Sequence, residues 1–241
     1  MYQKEFRISD IFSLENYKLG RIYSFSMPAI LTCPGMSREC GDRCYAMRSR
    51  FAWDPVQAKY FRNYEISLRE DFPSIVTDLL SRMRRDRPDV RLHVSGDIYD
   101  RAYGGKWLEV VKQSQHVRFL AYTRSWRVPE IVPVLEELAA CRNFRMFYSA
   151  DRETGLPRRK PAAVRIAWMQ IDEAEAHKGV DLYFRDHSLR KTPRKHVGGT
   201  MVCPPENGTT HTTCDRCQIC FSDPREEPAK RTKGRLALQL V

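Results

Sequence analysis

The chain has 241 residues, 42% of them hydrophobic, and 41 Lys and Arg against 30 Asp and Glu give a formal charge of +11. This is enough apolar material for one substantial core, which excludes global disorder, and no run of about 18 apolar residues offers a membrane span. The charge fits a polyanionic partner, either nucleic acid or a nucleotide-like cofactor, and equally fits a solvated basic surface.

In chain order, residues 1–10 mix charged with apolar side chains, so no secretory signal is expected and the protein is placed in the cytoplasm. Residues 21–31 read as an extended segment that runs directly into Cys33. Val56, Tyr60, Tyr64 and Leu68 recur every four residues and mark one face of a helix. Asp71 and Pro73 open a second helix, with Ile75, Val76, Leu79, Leu80 and Met83 as its buried stripe. A strand is expected over 90–94, a helix around Trp107, Leu108, Val110 and Val111, and a strand over 117–122. Pro129 begins a helix carrying Ile131, Leu135 and Leu138, and strands follow over 144–148, 164–169 and 182–184. Strand starts at 90, 117, 144 and 164 lie 20 to 27 residues apart, the spacing of a strand–helix–strand unit. The predicted fold class is therefore α/β, an open, partial parallel β/α barrel with helices outside; the chain is short for a closed eight-unit barrel. The barrel is expected over residues 1–200. A cysteine-rich segment over 201–223 has little periodicity and is expected to take its order from bound metal. Residues 224–241 read as a charged tail whose end, 236–241, is apolar enough to dock back.

Eight cysteines in a chain expected in a reducing compartment read as metal ligands before disulfides. Cys33, Cys40 and Cys44 sit in Cys33-Pro34-Gly35-x4-Cys40-x3-Cys44-Tyr45-Ala46, just after a predicted strand. Reactive groups gather at the carboxyl ends of parallel strands, and Gly35 and Gly41 let the loop wrap closely around a bound object. Three thiolates are one short of a closed tetrahedral site, which fits a catalytic zinc with an open position or a cubane with one iron left free. Buried free thiols are the competing reading, but a loop rich in Gly, Asp and Arg is a poor place for them. The second set, Cys203-Pro204-x9-Cys214-x2-Cys217-x2-Cys220, is the strongest local signal. Its two successive two-residue spacings and remote Cys-Pro resemble bacterial ferredoxin spacing, although four sulfurs would also close a zinc site; iron–sulfur is the preferred of the two. Cys141, at the end of a predicted helix, reads as packing.

A cysteine triad after the first strand resembles the radical S-adenosylmethionine (SAM) superfamily. Ser95-Gly96-Asp97-Ile98-Tyr99, at the end of the next predicted strand, is similar to the turn that binds the SAM amino group there. Ala121-Tyr122-Thr123-Arg124-Ser125 resembles the turn after the third strand. The resemblance implies a [4Fe-4S] cluster on Cys33, Cys40 and Cys44, SAM contacts from Gly96, Asp97 and Thr123, and a reductase or flavodoxin as electron donor. The cysteine spacings here are six and three, where the superfamily's are three and two, and the aromatic residue, Tyr45, follows the last cysteine instead of preceding it. More narrowly, Cys-Pro-Gly, Cys-Gly-Asp-x-Cys-Tyr-Ala, Ser-Gly-Asp and Ala-Tyr-Thr-Arg-Ser together resemble a phage- and plasmid-borne family, gene product eighty-eight, over about residues 22–221.

Other residues have less specific readings. Asp97 has a helix-capping reading beside the SAM-binding one. His93, inside a strand pattern, reads as a core histidine, and His211 reads as a solvated loop residue with zinc ligation as its alternative. Arg158, Arg159 and Lys160, with Arg190, Lys191, Arg194, Lys195 and His196, form two basic stretches on loops and are candidate phosphate contacts or solvated surface. Tyr122 and Trp126 could stack on a base, with packing as the alternative. Three functions are carried forward. The first is a radical SAM-like enzyme, and the second a zinc- or cluster-stabilised nucleic-acid-binding protein. The third is a phage or plasmid factor that modulates a host protein.

Overall fold

The computed structural model describes residues 6–14, 16–83 and 87–225. A one-turn helix, α1 (Ile8–Ile11), precedes strand β1 (Tyr23–Phe25). A loop holding the short helix α2 (Arg38–Asp42) leads to helices α3 (Asp54–Leu68) and α4 (Phe72–Ser81). Strand and helix then alternate through β2 (Asp89–Leu92), α5 (Arg101–Gln113), β3 (Arg118–Thr123), α6 (Val132–Ala140) and β4 (Phe144–Ala150). Strands β5 (Val164–Gln170) and β6 (Leu182–Arg185) complete the sheet. The strands pair in sequence order β1-β2-β3-β4-β5-β6, all in parallel. Each connection steps one strand in the same direction, and the sheet forms an open half-barrel, as the spacing of apolar runs predicts.

Both faces of the sheet are buried. Successive side chains of a strand point to opposite faces, so Val90, Leu92, Phe119, Ala121, Met146 and Ile166 pack outward with Val76, Leu79, Trp107 and Leu138 from the helices. On the concave face Leu120, Phe147, Ala167 and Leu182 form a second cluster. Leu19 and Ile22, which precede β1, and Cys203 and Phe221, from the cysteine-rich segment, complete it.

The structure corrects several boundaries. The first paired strand is three residues long, much shorter than the extended segment expected over 21–31. Strand β2 stops at Leu92, because His93 takes a left-handed conformation with φ 58. Helix α6 starts at Val132, not Pro129; Pro133, in the first turn, occupies the position its missing N–H suits. No helix joins β4 to β5 or β5 to β6 among the described residues. The spacing between 144 and 164 is therefore a loop, interrupted by Gly155, Pro157 and Pro161. The cysteine-rich segment is preceded by a two-stranded antiparallel ribbon, β7 (His196–Val197) and β8 (Thr200–Met201), and contains one α-helical turn, α7 (Cys214–Cys217), between 3-10 turns at Pro204–Glu206 and Ile219–Phe221. Val202 bridges Tyr183 of β6, and the Cys203 N–H donates to the Tyr183 carbonyl at 2.9 Å, so the segment enters as a continuation of the sheet edge. The predicted docking of residues 236–241 lies outside the described residues. Among those described, no helix is long and apolar enough to cross a membrane.

Candidate metal centres

The first cysteine loop lies across the carboxyl ends of the strands. Ser37 caps α2 by accepting the Cys40 N–H at 3.0 Å, and its hydroxyl donates to Asp151 Oδ2, just past β4, at 2.6 Å. Arg127 Nη1, beyond β3, donates to the Gly35 carbonyl at 3.0 Å, and Arg43 lies 3.4 Å from Asp186, just past β6. Glu39 pairs with Arg152, and the Tyr45 hydroxyl donates to the Val94 carbonyl. A Cβ at Gly35 would lie 2.0 Å from the Arg124 carbonyl oxygen, so only glycine permits this approach. Four strand ends therefore grip the loop that carries Cys33, Cys40 and Cys44. Burial pushes the Cys33 thiol up to about 12, with Asp97, Cys40 and Cys44 adding to the effect, so these groups sense one another. Burial also raises Cys40, which Arg124 partly offsets by charge and hydrogen bonding. Arg124 is itself buried and paired with the fully buried Asp151 at 2.7 Å.

The Ser95-Gly96-Asp97 turn sits beside this loop. Gly96 has φ 81, and a Cβ there would meet Thr32 Oγ1 at 2.5 Å. Asp97 is buried; Oδ1 accepts the Ile98 N–H and Oδ2 the Arg124 N–H, each at 2.7 Å. Burial raises its carboxyl despite these bonds and one from Thr123. Asp100, not Asp97, caps α5, accepting the Tyr103 N–H at 2.7 Å. The Asp97 carboxylate therefore ties the turn after β2 to the turn after β3, and the capping reading is corrected.

The second set lies on the concave face. Cys203, Cys214, Cys217 and Cys220 line one pocket with Lys18, Arg91, Tyr122 and Phe184. The Cys214 N–H donates to the Lys18 carbonyl at 2.8 Å. Gln218, at φ 54, reverses the chain after α7 and brings Cys220 back. Tyr122 donates its hydroxyl to Cys220 Sγ at 2.9 Å, so its ring packs under a cysteine instead of standing free to stack on a base. Burial pushes Cys203 far up, Cys214 up, and Cys217 up to about 11.

Neither set draws three acidic, histidine or cysteine side chains to one ion-sized point among the described residues. A single zinc with Zn–S bonds of about 2.3 Å needs its sulfurs roughly 3.8 Å apart. Both donor sets consist of cysteine alone, the ligand type an iron–sulfur cluster would use.

The remaining candidates fall elsewhere. His93 is buried with Nε2 2.8 Å from the Tyr103 hydroxyl, and burial lowers it to about 3, which keeps the ring neutral. His211 is exposed and does not line the pocket. Arg158, Arg159 and Lys160 are exposed on the β4–β5 loop, whereas Arg190 pairs with Glu206 and Arg194 with Glu173. The sequence reading missed Ser37, Asp151, Lys18, Arg91 and Glu206 as site residues. Only Arg91 left a trace, as a charge between Val90 and Leu92 in a run otherwise fit for burial.

A profile of the Gene product 88 family matches residues 7–223. The chain belongs to that family. It is 25% identical over 236 residues to the Gene 88 protein of Mycobacterium phage L5, covering 90% of each protein. To the Gene 88 protein of Mycobacterium phage D29 it is 27% identical over 226 residues, covering 86% of each. No solved structure matches the chain. Both cysteine sets lie inside the Gene product 88 span.

Proposed function

We propose that this Gene product 88 protein is an iron–sulfur enzyme of the radical SAM type, with one cluster on Cys33, Cys40 and Cys44 and a second on Cys203, Cys214, Cys217 and Cys220. The observation that carries the reading is the three-cysteine loop held across the carboxyl ends of a half-barrel, beside the Gly96–Asp97 turn. A three-thiolate cluster, when bound, supplies an open iron for the amine and carboxylate of SAM and the electron that cleaves it. Ser37, Asp151 and Arg124 fix the loop that presents the thiolates. Gly96 allows close approach to the turn, and Asp97 and Thr123 hold its shape. With Ile98, Arg124 and Thr123 already donating to it, Asp97 acts first as an organiser of the SAM turn and only through a remaining lone pair as an acceptor.

A nucleic-acid or nucleotide substrate fits the exposed Arg158, Arg159 and Lys160 on the loop that leaves β4. The same loop is what favours the second reading, a nucleic-acid-binding protein that turns over nothing. The electron donor would be a reductase or flavodoxin.

The test is anaerobic preparation with iron, sulfide and zinc counted per chain, followed by SAM titration. Two cubanes give roughly eight irons. SAM should alter the paramagnetic resonance of the reduced first cluster and release 5′-deoxyadenosine. A loaded protein with no spectral response and no cleavage refutes the enzyme, and a colourless protein with stoichiometric zinc refutes the clusters.

A further inference from the structure

Two cations line the four-cysteine pocket, Lys18 and the buried Arg91, and among the described residues Arg91 forms no ion pair. Lys18 pairs with Glu206, which also holds Arg190 at 3.1 Å. Arg118 pairs with Asp89 at 2.6 Å. Arg91, from the middle of β2, is buried at 9% exposure and its Nε has no acceptor among the described residues. Its guanidinium stacks over the Tyr122 ring at 4.9 Å, and the Tyr122 hydroxyl donates to Cys220 Sγ at 2.9 Å. The cation and the hydrogen bond thus converge on the same edge of the pocket. Glu206 feels the charge of Arg91 but is already held by Lys18 and Arg190, so among the described residues Arg91 has no ion-pair partner of its own, and an unpaired buried charge is costly.

We infer that Arg91 and Tyr122 set the reduction potential of the four-cysteine centre upward, making it an electron reservoir for the chain. The inference rests on the iron–sulfur reading of that site. Four thiolates on a doubly positive cubane core give a net charge of about −2, which one electron from a low-potential donor of the flavodoxin class takes to about −3. No bond forms or breaks and no proton moves. The added negative charge is favoured by the nearby guanidinium and by the O–H···S bond, since charge and hydrogen bonds to sulfur both set cluster potentials.

The experiment uses the full chain with Cys33, Cys40 and Cys44 changed to Ala, reconstituted with iron and sulfide and titrated against dithionite by absorbance and paramagnetic resonance. Arg91→Met should shift the reduction equilibrium at fixed poise at least tenfold toward the oxidised cluster, about 59 mV for a one-electron couple. Tyr122→Phe should move it the same way by less, and Arg91→Lys should stay near the parent. Iron counts equal to the parent's with unchanged potentials in both Arg91→Met and Tyr122→Phe overturn the proposal and leave the cluster reading standing. A parent chain that takes up no iron at this site overturns both. If Arg91→Met cannot hold iron, Tyr122→Phe decides alone, and an unchanged potential there overturns the proposal.

Discussion

Replacing Asp151 by Asn tests how the first cysteine loop is held. The carboxylate is fully buried, with Arg124 Nη1 at 2.7 Å and the Ser37 hydroxyl at 2.6 Å on Oδ2, and the Glu153 and Thr154 N–H groups at 3.0 and 2.9 Å on Oδ1. A carboxamide keeps the two backbone donors but removes the negative charge paired with Arg124 among the described residues; Arg124 is itself 8% exposed. Breaking a buried pair from one side costs about 3–5 kcal/mol, against a total stability of about 5–15 kcal/mol for a domain. Urea unfolding at pH 7 should therefore show a much lower midpoint at unchanged slope. The Arg124→Met, Asp151→Asn double variant should be less destabilised than the sum of the singles, by about 0.5–3 kcal/mol. Burial alone would raise the Asp151 carboxyl, but Arg124, Ser37 and the backbone donors together bring it below the ordinary value. A lowered folded pKa means the contribution is complete above the ordinary carboxylate range and is lost as pH falls through the folded value, so parent and variant should converge in acid. In the metal-free protein Arg124→Met should also slow alkylation of Cys40, because Arg124 is what holds that thiol down against burial. A cost of under 1 kcal/mol for Asp151→Asn, with strict additivity in the double variant, would refute the reasoning.

Cys217→Ala should cost the loaded protein both iron and folding stability, since metal affinity in a closed set is folding free energy, while Cys40→Ala should stay folded with one cluster fewer; thermal melts with iron counts check both. His93, depressed to about 3, should show flat ring proton shifts between pH 5 and 8 by NMR. Its contribution is complete above about 6.5 and is lost toward pH 3, at about 1.4 kcal/mol per pH unit. Replacing Arg158, Arg159 and Lys160 together should weaken binding to single-stranded DNA or RNA and flatten its dependence on salt, as measured by fluorescence anisotropy. Absence of binding at low salt would leave those residues as solvated surface.

The half-barrel was legible because its strands carry β-branched and aromatic runs buried on both faces, with helices of clear four-residue period between them. The first cysteine loop was legible by its position after an extended segment. Illegible features depend on long-range partners. Nothing local to Asp151 shows that it will meet Ser37 and Arg124, which lie 114 and 27 residues away in sequence. The left-handed turn at His93 was also hidden, because a non-glycine residue there carries no turn signal. Periodicity failed between β4 and β5 for a related reason: the interval has the length of a helical crossover, but the prolines within it leave only a loop.

The positive charge takes on a different meaning once the concave face is seen. Four successive strands each present an arginine there, and three of them are occupied by the cysteine-rich segment. Arg118 meets the Gln218 side chain at 2.6 Å, Arg145 the Phe221 carbonyl at 3.2 Å, and Arg165 the Ile219 carbonyl at 3.0 Å. Such arginines inside a half-barrel would be costly without acceptors, and the irregular backbone of residues 218–221 supplies free carbonyls because it forms no long helix or ladder. Sheet and segment therefore satisfy one another, and part of the +11 charge is structural, not a surface for polyanions. The fourth arginine, Arg91, lines the four-cysteine pocket and lies over the Tyr122 ring. It alone of the four lines that pocket, which sets it apart from the three that hold residues 218–221 in place.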